Sequence, residues 1–488
     1  MTTVHRPTPT TDTAVPGPAE VADLAEHYER VPVFRELLVE GLSPTSAFDR
    51  LCGPGETGFL LESVPVGGDV GRYSYLGYRP RPVDLPEGDP LPTLAEVAGR
   101  SVAPVAGLPP FFGGAVGYLG YETARHFERL PRAAGPGPGV PEAAFLAADD
   151  LVVFDHATRS VLLVTLHRPA DEPYEAALSR LSGLRERLTA EPPSTVLTAA
   201  GRHPGGVRPD DGWASNTTQA EFEGRVRRAR EHIAAGDAFQ VVLSQRFTRP
   251  LRVEPAELYR HLRAVNPSPY LYHLSLGGGR HVIGASPELL VRADGRTVRT
   301  RPLAGTRARG SDHEGDLALE RDLLTDSKER AEHVMLVDLG RHDISRVCVP
   351  GTVRVERLME VERFSHVMHL SSTVAGELTD GATPLDALRA AFPAGTLSGA
   401  PKIRAMELIA EMEPDRRGVY GGALGCVGFG GLVDFAIGLR TLVVADGLIH
   451  VQAGAGVVAD SDPTAEYLET LHKANALFTA VRSAEEAR

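Results

Sequence analysis

The sequence predicts an α+β fold, with largely antiparallel sheets and helices on their outer faces. Many candidate strands follow one another directly along the chain, without the regular strand–helix alternation that builds a parallel sheet. Residues 150–155 and 160–165 are short apolar runs separated by turn-forming residues, which is typical of a β-hairpin. Residues 172–190 and 218–235 have helical periodicity, and we expect these helices to cover the sheets.

Taken in order, the elements begin with two candidate strands, at 59–64 and 71–77, on either side of a glycine turn. The hairpin and the first long helix come next. The second long helix opens with Thr218 and Glu221, which have the spacing of a capping box. An apolar strand is predicted directly after this helix, at 239–247.

Composition divides the chain into a tail and two regions. Residues 1–20 are rich in Thr and Pro, which predicts a disordered N-terminal tail. We expect residues 21–200 to form an N-terminal region that folds with the main body, and residues 201–488 to form a C-terminal domain. The polar segment 192–213, rich in Pro and Gly, is the best candidate for a linker between them.

Composition also limits the function. The 488 residues carry a formal net charge of −13, whereas a general nucleic-acid binder needs a basic surface. No run of about 18 apolar residues occurs, so we expect no membrane span. Cys52, Cys348 and Cys426 form no CxxC pair, which disfavours a zinc site or a disulfide scaffold and fits a reducing cytoplasm.

Two pairs of glutamates have the spacing that places both carboxylates on one face of a helix. Glu329 and Glu332 form one pair, and Glu466 and Glu469 form the other. Most pairs of this kind only mark a solvated helix face. Here both pairs lie beside apolar segments that are typical of a core. Converging carboxylates hold a hard cation and leave room for substrate oxygens, so we expect an enzyme that uses Mg²⁺ to bind an anionic small molecule.

Six segments share their residues and their order with one enzyme family. They are residues 236–245 (GDAFQVVLSQ), 301–307 (RPLAGTR), 338–341 (DLGR), 395–402 (GTLSGAPK), 420–423 (YGGA) and 452–456 (QAGAG). Together they resemble the chorismate-utilising enzymes, and within them the large subunits of anthranilate synthases. The resemblance runs from about residue 22 to Val481. It implies the fold of that family, with two largely antiparallel sheets packed face to face and helices outside.

The resemblance implies a chorismate site at the C-terminal domain. One substrate carboxylate would bind the Mg²⁺ held by the four glutamates. The carboxylate of the enolpyruvyl arm would meet Arg440, Tyr420 and the amide of Gly456. We expect Arg440 to lie in a strand, because it follows the apolar residues 436–439. The other residues expected to bind substrate are Gly305, Gly454, Ala455, Lys473 and Gln240.

Three residues are expected to carry the chemistry. By resemblance, Glu329 protonates the departing hydroxyl, Thr306 contacts the ring, and His369 supports pyruvate elimination. Relatives that use water, and those that make 4-amino-4-deoxychorismate, carry lysines where this chain has Gln240 and Ala304. Direct amination by ammonia is therefore favoured, and the presence of His369 favours full conversion to anthranilate. One alternative is an enzyme that stops at 2-amino-2-deoxyisochorismate, and a rival of another class is a regulatory subunit that binds without turnover.

Partners and regulation follow from the same resemblance. No G-x-C-x-G nucleophile motif is present, so ammonia would come from a separate glutamine amidotransferase subunit. A tryptophan feedback pocket is expected, with an affinity altered at two positions that depart from the Met-Phe pair of some relatives. Its predicted residues are Leu61, Glu62, Ser63, Asn266, Pro269, Tyr270 and the two departing residues, Leu271 and Tyr272. His342 replaces a usual Asn, and we expect it to alter the site or to mark a divergent branch.

Overall fold

The computed structural model describes residues 13–53, 55–63, 71–190, 212–310, 312–363 and 367–487. The helices, in chain order, are α1 (Pro18–Ala25), α2 (Pro44–Leu51), α3 (Leu91–Ala98), α4 (Tyr174–Thr189), α5 (Gln219–Ala234), α6 (Pro255–Val265), α7 (His313–Thr325), α8 (Ser327–Ser345), α9 (Pro384–Ala391), α10 (Gly395–Ser398), α11 (Lys402–Met412) and α12 (Pro463–Glu486). The strands are β1 (Val31–Leu37), β2 (Thr57–Glu62), β3 (Tyr73–Tyr78), β4 (Arg81–Pro82), β5 (Gly114–Leu119), β6 (Ala143–Ala148), β7 (Asp150–Asp155), β8 (Ser160–His167), β9 (Ala214–Ser215), β10 (Gln240–Pro250), β11 (Tyr270–Leu276), β12 (His281–Ser286), β13 (Leu289–Asp294), β14 (Thr297–Arg301), β15 (Leu303–Ala308), β16 (Arg354–Arg363), β17 (Val367–Glu377), β18 (Gly399–Ala400), β19 (Ala423–Gly428), β20 (Leu432–Ile437), β21 (Thr441–Ala445) and β22 (Leu448–Val457).

The strands form two antiparallel sheets, which confirms the predicted α+β architecture. In the described part of the chain, the first sheet has twelve strands in the order β1-β8-β7-β3-β2-β11-β12-β21-β22-β10-β18, with β9 beside β10. The second has ten, in the order β15-β17-β14-β13-β20-β19-β5-β6-β4, with β16 beside β17. Both sheets contain strands from either side of residues 191–211, so the N-terminal region and the C-terminal domain share their backbone hydrogen bonding.

Large apolar side chains hold the two sheets face to face. Phe59 and Leu274 from the first sheet share one buried cluster with Tyr118 and Leu424 from the second. All four are at most 2% exposed. Burying a large apolar side chain stabilises a fold by about 1.5–3 kcal/mol, so this layer is a principal source of cohesion between the sheets.

The local predictions are largely confirmed. Strands β7 and β8 form the expected hairpin, and α4 and α5 occupy the two segments with helical periodicity. The Thr218 hydroxyl accepts the Glu221 amide at 3.3 Å, and the Glu221 carboxylate accepts the Thr218 amide at 2.8 Å, which is a complete capping box. The three cysteines are free thiols. No helix of the described residues is both long and apolar enough to cross a bilayer.

The predicted tail and linker need correction where the structure describes them. Helix α1 begins at Pro18, inside the predicted tail, and Val15 already pairs with Phe34. The tail was predicted too long because a short helix that starts with proline is hard to separate from a Pro-rich coil. Residues 1–12 and 191–211 lie outside the described residues. Trp213, at the end of the predicted linker, packs on Phe478 with ring centroids 4.6 Å apart.

A fully buried arginine joins the elements that surround the second half of the first sheet. The Nε and Nη2 atoms of Arg417 donate to the two carboxylate oxygens of Glu413 at 2.8 and 2.7 Å. Nη1 donates to the Leu397 carbonyl and Nη2 to the Val242 carbonyl, each at 2.7 Å. The guanidinium also lies 5.5 Å from the ring centroid of Tyr420. Arg417 therefore connects α10, α11, β10 and the segment that carries Tyr420.

We predict that Arg417→Met lowers the free energy of unfolding by about 3–5 kcal/mol, because it leaves the buried Glu413 carboxylate without its cation. A urea titration followed by fluorescence measures the change. Arg296→Met is the matched control, since Arg296 pairs with the 94% exposed Asp380 and such pairs contribute about 0–1 kcal/mol. Equal urea midpoints for the two variants would contradict the importance of the buried pair.

Candidate active site

The N-terminus of α8 places the first glutamate pair. The Asp326 carboxylate caps the helix by accepting the backbone amides of Lys328 at 2.9 Å and Glu329 at 3.1 Å. Arg307 donates to Asp326 at 2.7 Å and to Glu329 Oε1 at 3.3 Å. Glu329 also packs against β15, where a Cβ on Gly305 would lie 3.2 Å from Oε2. The Glu329 carboxylate is thus fixed between Arg307 and the backbone of β15.

The N-terminus of α12 places the second pair. Asp462 caps this helix by accepting the amide of Ala465 at 2.9 Å. Lys473, one turn after Glu469, contacts its Oε1 atom at 2.6 Å and also donates to the Gly454 carbonyl at 3.2 Å. Lys473 therefore links the second glutamate pair to strand β22.

The two pairs lie close enough for their charges to act on one another. Burial is the main cause that raises the pKa of Glu332, and the charges of Glu329 on its own helix and Glu469 on α12 raise it further. Burial likewise raises the pKa of Glu466, with an added contribution from Glu469. Lys473 opposes both shifts. Lys328 opposes them as well, so the junction of α8 and α12 gathers partly buried carboxylates with two lysines nearby.

The carboxylates at this junction fit a divalent cation. Mg²⁺ is commonly held by one or two carboxylates together with waters and substrate oxygens. The four carboxylates do not form a ready-made cage, because the described residues contain no group of three or more His, Cys, Asp or Glu side chains placed to hold a metal. Oε2 of Glu466 is buried and finds no hydrogen-bond partner among the described residues. A buried acceptor is costly when it is left unpaired, and a cation would satisfy it.

Two glycines of β22 make room for polar side chains. A Cβ on Gly454 would lie 2.5 Å from the Tyr420 hydroxyl, and one on Gly456 would lie 2.7 Å from Gln240 Nε2. Tyr420 and Gln240 therefore rest directly on the backbone of this strand. Ala455 lies between the glycines, and its buried methyl group faces the other side of the sheet. Of the predicted binding residues on β22, only the glycines face Tyr420 and Gln240.

The predicted histidine is held by a bulge in the second sheet. Thr306 pairs with His369, and the register shifts at Gly305, which has a φ of +67°. His369 Nδ1 lies 2.9 Å from the Gly305 carbonyl and 3.1 Å from the Thr306 hydroxyl. Burial, aided by the charges of Arg440 and Lys473, lowers the pKa of His369 to about 4. Donation from Nδ1 to the carbonyl places the lone pair of the neutral ring on Nε2.

Arg440 does not lie in a strand, so that prediction was wrong. It lies in the turn between β20 and β21 and adopts a left-handed φ of +47°. Its Nη1 atom donates to Asn266 Oδ1 at 3.3 Å. Burial lowers the pKa of Arg440, and the carboxylate of Glu288 opposes that shift. The apolar run before Arg440 is typical of a strand. No Pro or Asn follows it, so the sequence did not indicate that the chain reverses there.

Glu288 is a residue of this site that sequence reasoning missed. It follows β12 and is 6% exposed. The Thr396 hydroxyl donates to its carboxylate at 3.3 Å. Burial raises the pKa of Glu288 to about 8, although Arg301 and Arg440 oppose the shift. The available signal was a single carboxylate inside the apolar run 282–291, where a charged side chain is unusual.

His342 does not reach this site. Its side chain is exposed on the outer face of α8, whereas Asp343 is buried and pairs with Lys402 at 2.8 Å. This exposure disfavours the first of the two expectations for His342, an altered site, because the helical rotation of one residue turns it to solvent; the second, a divergent branch, stays a prediction.

A separate cavity lies between the two sheets, and it gathers most of the residues predicted for a tryptophan pocket. Its volume is about 350 Å³. The predicted residues that line it are Leu61, Glu62, Ser63, Pro269, Tyr270, Leu271 and Tyr272. Asn266 is not among the described residues of the lining, since its side chain contacts Arg440 instead. The cavity wall is completed by residues such as Arg292 and Asp434 of the second sheet.

Comparison with known proteins gives a consistent result. The model of the chorismate binding enzyme family matches residues 81–479. Anthranilate synthase component 1 of Streptomyces coelicolor is 68% identical over 97% of this chain and 93% of its own length. The corresponding protein of Thermus thermophilus is 46% identical over 94% of this chain and 99% of its own length.

Solved structures agree. Anthranilate synthase component I from Streptococcus pneumoniae superposes with a TM-score of 0.76 and 38% identity, and the match covers 91% of this chain and 99% of that one. The menaquinone-specific isochorismate synthase of Escherichia coli has the same fold, with a TM-score of 0.71 and 18% identity over 95% of this chain and 98% of its own. Fold, motifs and relatives agree, and the chain belongs to the chorismate-binding enzymes and, within them, to the anthranilate synthase component 1 family.

Proposed function

We propose that the chain aminates chorismate with ammonia and then eliminates pyruvate, which gives anthranilate. The observation that carries the proposal is a chain of neighbouring charges: Lys473 acts on the α8 and α12 carboxylates and on His369, and Arg440 acts on His369 and on the buried acid Glu288. The reaction needs both an acid and a base: a proton must reach the departing hydroxyl, and a ring proton must be removed to aromatise the product.

Substrate binding follows from the charges around β22. Arg440 offers a forked cation to the enolpyruvyl carboxylate, and the Tyr420 hydroxyl adds a donor beside Gly454. Mg²⁺, held by Glu329, Glu332, Glu466 and Glu469, would supply positive charge to the second carboxylate. Lys473 lies between these two ends of the site, through its contacts with Glu469 and Gly454.

Ammonia is received by Gln240. Its Oε1 atom is buried, and no hydrogen bond to it exists within the described part of the chain. An N–H of ammonia would satisfy this acceptor and bring the nitrogen lone pair next to Gly456, where Gln240 Nε2 lies. Ammonia needs no lysine base to become nucleophilic, which agrees with Ala304 and Gln240 at the two discriminating positions. The name component 1 of the relatives supports supply of ammonia by a separate glutamine amidotransferase subunit.

Glu288 fits the proton donor better than the predicted Glu329. A carboxyl group whose pKa is about 8 keeps its proton at neutral pH, as a general acid requires. Glu329 instead accepts from Arg307 and belongs to the carboxylates that face the cation. Glu288 also lies close enough to Arg440 for its charge to act on the guanidinium, so a substrate held by Arg440 comes near it.

His369 favours completion of the reaction over release of the aminated intermediate. Its neutral ring, fixed by Gly305, presents the lone pair of Nε2 for removal of the ring proton. Loss of that proton drives pyruvate elimination, and this step separates an anthranilate synthase from an enzyme that stops at 2-amino-2-deoxyisochorismate.

We also propose that the cavity of about 350 Å³ binds tryptophan as a feedback inhibitor. Its volume is in the range of small-molecule pockets, and its aromatic and aliphatic walls suit an indole. Oδ1 of Asp434 is buried and forms no hydrogen bond of ordinary length with a described residue, although the Tyr270 hydroxyl lies near the carboxylate, so a ligand ammonium group would supply a closer donor. Arg292, 3.4 Å from Asp434 Oδ2, offers a cation for the ligand carboxylate.

The first prediction from the proposed function concerns the products. The purified chain, incubated with chorismate, Mg²⁺ and ammonium, is expected to form anthranilate and pyruvate in equal amounts, measured by fluorescence and mass spectrometry. Glutamine alone is expected to give no product, because the chain has no amidotransferase motif. An aminated product that keeps its enolpyruvyl arm, without pyruvate, would contradict the proposal.

The second prediction concerns the proton donor. Glu288→Gln should lower kcat by about 10²–10⁴-fold with little change in the KM for chorismate, because an amide cannot donate the proton. In the wild type, kcat should fall as pH rises through about 8, since the raised pKa of Glu288 keeps the acid form below that pH. Glu329→Gln serves as the comparison. If kcat of Glu329→Gln no longer falls as the pH rises, while kcat of Glu288→Gln still does, Glu329 is the proton donor.

The third prediction concerns the cation. Glu466→Gln should weaken Mg²⁺ binding by at least about tenfold, since even the loss of an outer-shell contact costs a metal site that much. Calorimetric titration of Mg²⁺ into the chorismate-bound chain, without ammonium, measures the affinity. Glu411→Gln is the control, because Glu411 is exposed on α11. Equal Mg²⁺ affinities for the two variants would place the cation elsewhere.

A further inference from the structure

Three adjacent strands bring one tyrosine from the cavity to the turn of Arg440. Tyr272 on β11 pairs with Gly284 on β12, which in turn pairs with Thr441 on β21. The Tyr272 ring crosses directly over Gly284, because a Cβ there would lie 2.3 Å from the ring and 2.4 Å from its hydroxyl oxygen. The hydroxyl reaches the Thr441 hydroxyl at 2.6 Å. Both side chains are buried, at 1% and 6% exposure.

The far end of this contact is the turn that carries Arg440. The Thr441 hydroxyl donates to the Leu439 carbonyl at 2.8 Å, and the Tyr272 hydroxyl lies 3.4 Å from the same carbonyl. Because the Thr441 hydroxyl donates to the Leu439 carbonyl, it accepts a hydrogen bond from the Tyr272 hydroxyl. A left-handed φ on a residue other than glycine costs about 1–3 kcal/mol and persists only where the surroundings fix it. The Tyr272 hydroxyl is one of the groups that fix it.

Asn266 holds the same turn from a second side. Its Oδ1 atom accepts from Arg440 Nη1 at 3.3 Å, and its Nδ2 atom donates to the Ala285 carbonyl at 3.4 Å. The Ala285 amide in turn donates to the Arg440 carbonyl at 3.1 Å. Asn266 therefore fixes the guanidinium of Arg440, and the Tyr272 hydroxyl contacts the residues before and after Arg440, Leu439 and Thr441. Only Tyr272 also lines the cavity.

We propose that Tyr272 is a positioning residue that couples occupancy of the cavity to the conformation of Arg440. The inference rests on the proposed function of both sites, and it identifies the contact that connects them. A ligand that displaces the Tyr272 ring withdraws the hydroxyl from Thr441, and the Arg440 turn loses its support. Chorismate is then bound less tightly through its enolpyruvyl carboxylate. A phenylalanine at position 272 would fill the same space without this hydrogen bond.

The test removes the partner hydroxyl outside the cavity, with Thr441→Val. The KM for chorismate is measured with ammonium as nitrogen source, with and without saturating tryptophan, and the Kd of tryptophan by calorimetry with and without chorismate. Coupling of this kind typically changes affinity by about 5- to 150-fold, and by the same factor in both directions. In Thr441→Val we expect a higher KM without tryptophan, a nearly constant kcat, and a coupling factor at least about threefold smaller.

Two control variants isolate the hydroxyl. Thr441→Ser keeps the acceptor and should keep the wild-type coupling. Thr479→Val makes the same change at a buried hydroxyl that no described residue bonds, and it should also leave coupling unchanged. If Thr441→Val does not fold, Tyr272→Phe removes the same hydrogen bond from the other partner, and its tryptophan affinity is measured beside its coupling.

The outcomes separate the two proposals. If a variant without the hydrogen bond still binds tryptophan and shows the wild-type coupling factor, the role of Tyr272 is overturned while feedback by tryptophan stands. If the wild type binds no tryptophan, the feedback proposal fails and the coupling with it. A coupling factor that is reduced in Thr441→Val but kept in Thr441→Ser and Thr479→Val supports the inference, since loss of the acceptor hydroxyl is then the only change that lowers it.

Discussion

The arrangement of the site depends on the buried ion pair between Arg417 and Glu413. Moving both charges out of water is expensive, and only a complete set of hydrogen bonds compensates for it. The set is complete here because the guanidinium also reaches the Val242 and Leu397 carbonyls, while Glu413 accepts the amide and hydroxyl of Ser244. These partners belong to β10 and α10, which carry Gln240 and Thr396. Satisfying one buried arginine therefore fixes the elements that carry Gln240 and the Thr396 hydroxyl, which donates to Glu288.

The same loss of solvent gives the site an acid and a base. Burial disfavours the charged form of any group, so it raises the pKa of a carboxyl and lowers that of an imidazole. The pKa of Glu288 is raised to about 8 and the pKa of His369 is lowered to about 4, and burial is the largest cause of both shifts. At neutral pH the carboxyl keeps its proton while the imidazole has none. Two neutral groups with opposite proton-transfer roles thus arise without any direct contact between them, which is the pattern expected of paired catalytic groups.

Local patterns predicted the elements well, and long-range packing decided what they missed. The capping box at Thr218 and the glutamate spacing on α8 and α12 depend on neighbours within one helical turn, so the sequence contains all the necessary information. The left-handed turn at Arg440 and the acidity of Glu288 depend on residues that are distant in sequence. Motif resemblance pointed to Arg440 and His369, whose roles stay predictions, and it could not show that Asn266 contacts the arginine rather than the cavity.

The first sheet connects the cavity, whose lining comes from both halves of the chain, with the turn of Arg440. Strands β2 and β3 are added to the edge of β11, and β11, β12, β21 and β22 then follow side by side. The cavity is built on β2 and β11, the Arg440 turn precedes β21, and the glycines that support Tyr420 and Gln240 lie on β22. Packed interiors change between discrete arrangements rather than deforming smoothly. A displacement at β11 therefore has a short route to β22, through strands that share hydrogen bonds and side chains that cross them.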